Sequence, residues 1–266
     1  MANTPAVIVT GASRGLGADI AKWLVLAGIR VTLVARSEKD LVALGAALDR
    51  QGTAATHVIA ADVSENDACE RIVEASLRHF GRIDALVNNA GILEPVGRIA
   101  DTDPEAWLYN LRVNLAAPFQ LCRAALPALR KARGRVINIS SGAAVKAIEA
   151  WSAYCVAKAG LTHFTKLLAE EEPDVTSIAL RPGVVDTAMQ GLIRKAGPGR
   201  MAPDKAAYFQ ALKDDNLLVS PHVPARAAAW LSLHAPASWS GAFMDYDDPR
   251  IERPALSEFG EELVLK

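Results

Sequence analysis

The sequence predicts an α/β fold, a doubly wound and mostly parallel sheet with helices on both faces. Three observations lead there. Strand-like apolar runs alternate with helix-length segments from end to end, the order that crossover units produce. Those runs are apolar at consecutive positions, so both faces of each strand are expected to be covered. The chain has 266 residues, 51% of them hydrophobic, enough for one large core.

The elements follow in order. Ala6-Val7-Ile8-Val9-Thr10 is the first strand, and it enters a glycine-rich turn that opens a helix over 16–27. A strand at 30–35 precedes a helix over 38–50, and a strand at 57–61 precedes one over 67–79. The fourth strand, 85–88, leads to helices over 104–115 and 118–131. The fifth, 135–140, precedes a helix over 154–170, and strands at 175–180 and 241–246 complete seven. The stretch 186–216 is irregular, with Gly191, Gly197, Pro198, Gly199 and Pro203. A long insertion after a strand at the sheet's C-terminal edge is expected to be a substrate lid. No repeat, low-complexity segment or linker divides residues 1–266, so one domain is expected. The charged tail 249–266 reads equally as a docked arm or a frayed end.

Composition narrows the function. Net charge is −1 with Lys and Arg scattered throughout, which argues against nucleic acid or an anionic membrane as partner. No apolar run reaches the roughly 20 residues that span a bilayer. The start, Met1-Ala2-Asn3-Thr4-Pro5, has no basic segment or cleavage site, so a cytoplasmic protein is expected. Cys69, Cys122 and Cys155 are too few and too far apart for a disulfide framework or a zinc site. The histidines show no ligand spacing either, and no metal is expected.

The first turn reads Thr10-Gly11-Ala12-Ser13-Arg14-Gly15-Leu16-Gly17, a G-x-x-x-G-x-G spacing. Glycines let the backbone turn sharply and approach a ligand, and the helix behind presents unpaired N–H groups to a phosphate. The second strand ends in Val34-Ala35-Arg36-Ser37. An acidic residue there marks NAD, whereas an arginine accommodates a 2′-phosphate. Arg14 and Arg36 together therefore indicate NADP(H).

Tyr154 and Lys158 are four residues apart, which puts a phenol and an ammonium on one helix face. At ~4 Å and an effective dielectric near 20, the cation would stabilise a phenolate by about 4 kcal/mol. Such a phenol is expected to titrate near physiological pH, as suits a general acid.

The loop 10–17, Asn88-Asn89-Ala90-Gly91, Asn114, Ser141, Tyr154-x-x-x-Lys158 and Pro182-Gly183 resemble, in order and spacing, the short-chain dehydrogenases/reductases. The likeness spans nearly the whole chain and implies a seven-stranded Rossmann-like sheet. It implies a catalytic centre of Ser141, Tyr154 and Lys158, assisted by Asn114. Cofactor contacts are implied at Gly11, Ser13, Arg14, Gly15, Leu16, Gly17, Arg36, Ser37, Asp62 and Val63. They continue at Asn89, Ala90, Gly91, Tyr154, Lys158, Pro182, Gly183, Val185 and Thr187. Ser141 stands 13 residues before Tyr154, the family's spacing, which selects it over Ser140.

Within the family, the C-terminal half is similar to the sepiapterin reductases and to relatives that reduce aromatic diketones. The matching stretches include Trp151-Ser152-Ala153-Tyr154-Cys155 and Ser240-Gly241-Ala242-Phe243-Met244-Asp245. By that resemblance Trp151, Met189 and Asp245 face the substrate along with Ser141 and Tyr154. The expected activity is NADPH-dependent reduction of a small-molecule ketone or diketone. Tyr154 gives the proton, Ser141 bonds the carbonyl oxygen, Lys158 holds the nicotinamide ribose and Asn114 anchors a relay water. A 3-oxoacyl or hydroxysteroid type reductase and a non-catalytic NADP(H) sensor are the alternatives. Helices 104–115 and 118–131 resemble those that pair family members, so a homodimer or homotetramer is expected.

Overall fold

The computed structural model describes residues 4–52 and 54–265, and Met1, Ala2 and Asn3 of the N-terminal stretch read above lie outside them. The chain runs β1 (Ala6–Thr10), α1 (Gly15–Leu26), β2 (Arg30–Ala35), α2 (Glu38–Asp49), β3 (Thr56–Ala60) and α3 (Ala68–Phe80). It continues through β4 (Ala85–Asn88), α4 (Pro104–Leu111), α5 (Ala117–Ala132), β5 (Arg135–Ile139) and α6 (Ser152–Glu171). The last third holds β6 (Thr176–Arg181), α7 (Ala188–Ala196), α8 (Pro203–Asp214), α9 (His222–His234), β7 (Phe243–Asp245) and α10 (Pro249–Phe259).

The seven strands form one sheet in the order β3-β2-β1-β4-β5-β6-β7, and every pair is parallel, as the apolar runs predict. The period of two along each strand divides the core. Val7 and Val9 pack with α1, α2, α9 and α10 on one face, whereas Ile8 packs with α3 and α5 on the other. The direction of winding reverses between β1 and β4. At such a switch point the loops leaving the two strands part and open a crevice beyond their carboxyl ends. The glycine loop follows β1, and Asn89-Ala90-Gly91 follows β4, so topology alone brings them together.

Local signals start several helices. The Ser37 hydroxyl accepts from Asp40 N at the head of α2, and Asp103 accepts from Ala106 N at 2.9 Å ahead of Pro104 in α4. The helix expected over 104–115 is interrupted: Arg112–Ala116 widen into a π-turn that carries Asn114. Such bulges gather at functional sites.

The stretch read as irregular, 186–216, holds α7 and α8. Its glycines and prolines punctuate helices instead of preventing them: Gly197 caps α7 and Pro203 opens α8. The tail forms α10, which buries Ile251 and Ala255 and stacks Phe259 on Trp23 at 5.8 Å. Arg226 ties the following turn down by donating to the Gly260 and Glu261 carbonyls. Among the described residues no helix is long and apolar enough to cross a membrane.

Candidate active site

A cleft of about 1480 Å³ lies along the carboxyl ends of the strands. Every expected cofactor residue, from Gly11 to Thr187, lines it, as do Ser141, Trp151, Tyr154, Lys158 and Met189. Asn114 and Asp245 are not in its lining.

At one end the backbone itself is the wall. Thr10 Oγ1 accepts from the amides of Asn89 and Ala90, both at 3.0 Å, and Asn89 Nδ2 donates to Thr10 O at 2.8 Å. The glycine loop is thereby fastened to the loop after β4. A Cβ on Gly17 would stand 2.3 Å from the Gly11 carbonyl oxygen, so only glycine fits at that close approach. The first amides of α1 face the same space, which makes a cradle for an anion. Arg14, ahead of α1, is exposed and its side chain caps nothing.

Arg36 is also exposed and lies 3.9 Å from the Asp62 carboxylate. Burial works against the Asp62 charge, but bonds from the Ser64 hydroxyl and amide, with Arg36 and Tyr109, outweigh it and hold the carboxyl low. Ser37 hydrogen-bonds Asp40 at 2.7 Å, and Asp40 also lines this end. The sequence reading gave Arg36 no acidic neighbour; the parallel pairing of β2 with β3 brings Asp62, just past β3, beside it. The residues at this end suit a dinucleotide phosphate: free amides, an uncluttered backbone and two exposed guanidinium groups.

The reactive groups sit where β5 meets α6. Ser140 is buried and its hydroxyl is held 2.6 Å from that of Thr162 in the core. Ser141 Oγ accepts from Ala143 N at 3.1 Å, which leaves its O–H for the bond with the Tyr154 oxygen. Lys158 is buried, and its Nζ donates to the Ile139 carbonyl at 2.7 Å and lies 5.6 Å from the Tyr154 ring centre. Removal from water lowers the Lys158 ammonium to about 8.

The Tyr154 phenol departs from the expectation of a lowered value. Burial pushes it up to about 12, with a bond to Ser141 pulling the other way and the Cys155 thiol adding slightly to the rise. The phenol is packed among Leu93, Ala143 and Trp151, where a phenolate would be poorly solvated. The Lys158 ammonium donates to the Ile139 carbonyl, and burial of the phenol outweighs the help it gives a phenolate. Tyr154 is thus a protonated donor throughout the ordinary pH range.

Asn114 lies beneath the cleft floor. Its Nδ2 donates to Ile92 O and Asn110 Oδ1, both at 2.8 Å, and its Oδ1 accepts from Ile92 N at 3.1 Å. A Cβ on Gly91 would lie 2.7 Å from Asn114 Oδ1 and 3.7 Å from Lys158 Nζ, so the two side chains flank Gly91. Asn110, which the sequence reading passed over, is fully buried and donates to the Leu93 and Glu94 carbonyls. It holds the loop after β4 and Asn114 together. An asparagine repeated at i and i+4 was the available signal.

The other end of the cleft is apolar. Trp151 stacks on Phe209 of α8 at 5.3 Å and meets Tyr154 edge-on at 5.9 Å. Met189 and Ile193 of α7 join the same cluster. Asp245 is elsewhere engaged: both its oxygens pair with the Arg181 guanidinium, and it is Arg181, not Asp245, that reaches the cleft. The two meet because β6 and β7 pair Arg181 with Asp245 in register, a relation between strands that no local pattern reveals.

Comparison with known proteins agrees with this geometry. Residues 5–197 match the family model described as short chain dehydrogenase. An uncharacterized oxidoreductase of Saccharomyces cerevisiae is 37% identical over 257 residues, covering 95% of this chain and 98% of that protein. A crystal structure of a short-chain dehydrogenase/reductase from that yeast superimposes with a TM-score of 0.88 at 37% identity, covering 94% of this chain and 98% of the other. A benzil reductase of S. cerevisiae, (S)-benzoin forming, is 35% identical over 258 residues, covering 92% and 97%. An alcohol dehydrogenase from Thermococcus sibiricus, solved with 5-hydroxy-NADP, gives a TM-score of 0.77 at 25% identity, covering 91% and 96%. With the cradle, the Ser141–Tyr154–Lys158 cluster and these likenesses in agreement, the chain belongs to the short-chain dehydrogenase/reductase family and is an oxidoreductase.

Proposed function

We propose that this oxidoreductase reduces a ketone or diketone with NADPH, an aromatic diketone or a pterin side-chain ketone being the favoured substrate classes. The observation that carries the reading is the buried Tyr154 hydroxyl, set beside Ser141 and against the apolar wall of Trp151. Gly11, Gly15, Gly17 and the head of α1 would hold the pyrophosphate, and Arg14 and Arg36 the 2′-phosphate. When bound, NADPH supplies the hydride.

The chain's own residues handle the oxygen and its proton. Tyr154 donates its phenolic proton to the carbonyl oxygen as charge grows there, and a phenol that stays protonated is suited to that direction. Ser141 donates a hydrogen bond to the same oxygen, a contribution of about 3 kcal/mol in a site closed to water. Lys158 keeps a cation beside the phenol as it gives up its proton, and Asn114, across Gly91, anchors the route by which that proton is restored. Met189, Ile193 and Phe209 exclude water and favour a flat apolar substrate. Likeness to a benzil reductase supports the diketone, and a relative solved with an NADP derivative supports the phosphate.

The test is a panel of aromatic ketones and diketones assayed with NADPH and NADH side by side. Turnover of the diketones with NADPH preferred is the expected result. Binding of NADPH without turnover of any carbonyl would instead favour the sensor reading. Exposed Phe119, Val156 and Leu167 on α5 and α6 support an assembly of two or four copies, which light scattering measures directly.

A further inference from the structure

The strip of α6 that carries Lys158 meets β5 through polar groups, where a helix ordinarily packs on a sheet through apolar ones. Lys158, Thr162 and Thr165 lie four and three residues apart, on one side of the helix, and all three are buried. On β5, Asn138 and Ser140 are two apart, so they project to the same face of the sheet, and both are buried as well. The groups meet in register. Asn138 Nδ2 donates to Thr165 Oγ1 at 2.9 Å, Lys158 Nζ donates to Ile139 O at 2.7 Å, and the Ser140 and Thr162 hydroxyls are 2.6 Å apart. The seam extends to the flanking strands: Asn88 Nδ2 of β4 donates to Asn138 Oδ1 at 2.8 Å, and Ser177 Oγ of β6 donates to Thr165 O at 2.8 Å. It ends at the reactive groups. Ser141 follows Ser140 on the chain, and Tyr154 stands one helical turn before Lys158.

Apolar burial is non-directional, so it lets a helix slide by a fraction of an ångström at little cost. Buried hydrogen bonds are directional, and a slide leaves their desolvated partners unpaired. We propose that Thr162 and Ser140, with Thr165 and Asn138, are positioning residues that set the register of α6 on β5. They thereby hold the Tyr154 hydroxyl at Ser141 and the Lys158 ammonium at the Ile139 carbonyl. Asn138, Thr162 and Thr165 are absent from the cleft lining, so they act through Tyr154 and Lys158 and touch no substrate themselves. The kinetic consequence rests on the carbonyl reductase reading; the geometric one does not.

The test separates register from stability. Thr162→Val leaves the Ser140 hydroxyl buried without a partner and should lower both Tm and kcat. In the double variant Ser140→Ala/Thr162→Val both partners are gone, a change that costs little stability, so Tm should return close to that of the wild type. Its kcat for an aromatic diketone with NADPH should stay about ten- to hundredfold low, the size expected when a reacting group is misplaced by up to an ångström. KM and the NADPH Kd should hardly move. Thr162→Ser, which keeps the hydroxyl, should recover most of the kcat that Thr162→Val loses. A kcat that returns with Tm in the double variant would make the seam a stability feature and overturn the proposal. A crystal structure of the double variant gives a readout that needs no turnover. The Lys158–Ile139 and Tyr154–Ser141 bonds are expected to open, and an unmoved α6 would overturn the proposal. If α6 shifts in that variant while the wild type reduces no carbonyl, the positioning role stands and the carbonyl reductase reading falls.

Discussion

The two ends of the cleft are made of different material. The dinucleotide end is backbone: strand ends, glycines and the head of a helix, cross-braced by Thr10 and Asn89. It has no room for a single additional carbon at Gly17. The apolar end is side chain: Trp151, Met189, Ile193 and Phe209, carried mainly on α7 and α8. A backbone site is dictated by topology and can accept only one shape of ligand. A side-chain site can be rebuilt by substitution without disturbing the sheet. That division explains how one scaffold keeps its cofactor while its substrate changes.

The junction between the two ends should be the most sensitive point. Tyr154→Phe is expected to lower kcat by about 10²–10⁴-fold with NADPH affinity nearly unchanged, as read by fluorescence titration. An equal loss of NADPH affinity would move Tyr154 from proton donor to structural support. At the backbone end, Gly17→Ala forces the loop apart, at a cost of roughly 1–3 kcal/mol. It should weaken NADPH binding by about ten- to hundredfold and lower Tm. An unaltered Kd would mean the cradle is more pliable than its contacts indicate.

Arg36→Asp should shift preference from NADPH to NADH by about 1.5–3 kcal/mol, the size of a charge-assisted bond. Unchanged cofactor kinetics would remove the reason for naming the phosphate. The pH profile of reduction comes next in size. Lys158 is charged below about 8 and neutral above it, whereas Tyr154 stays protonated up to about 12. The kcat/KM for reduction should therefore be flat on the acid side of 8 and fall by about tenfold per pH unit beyond it. In Lys158→Arg, at a lower plateau, that limb should disappear, because a guanidinium does not deprotonate in this range.

The smallest effect belongs to the side-chain end. Phe209→Ala removes the ring stacked on Trp151, worth about 0.5–1.5 kcal/mol beyond its area. KM for an aromatic diketone should rise a few-fold with the NADPH Kd unmoved. A comparable loss of NADPH affinity would mean the two ends are coupled.

Legibility in the sequence followed the same division. Strands 6–10, 30–35 and 85–88 coincide with β1, β2 and β4, because buried parallel strands are continuous apolar runs. The glycine loop was legible for the same reason that Gly17 tolerates no Cβ: the requirement is local. α9 gave no comparable signal, since Ala225, Ala227, Ala228 and Ala229 are all buried and no polar face marks a helical period. The stretch 186–216 appeared irregular because a proline at a helix start and a proline in a loop look alike without the neighbouring turn. The behaviour of Tyr154 was misjudged on one count. Spacing places a lysine one turn away, but only the packing tells which carbonyl the ammonium faces and how dry the phenol is.

What the residues determined by themselves is therefore the parallel sheet, the glycine-rich first turn and the placing of Tyr154 and Lys158 on one helix face. Each follows from short-range order, through side-chain periodicity or fixed spacing. Tertiary structure alone decided that Asp245 is spent on Arg181, that Asn110 braces Asn114, and that Arg36 meets Asp62. Those outcomes depend on which distant segments share a boundary and on how much water is left between them, and neither quantity is written in any stretch of neighbouring residues.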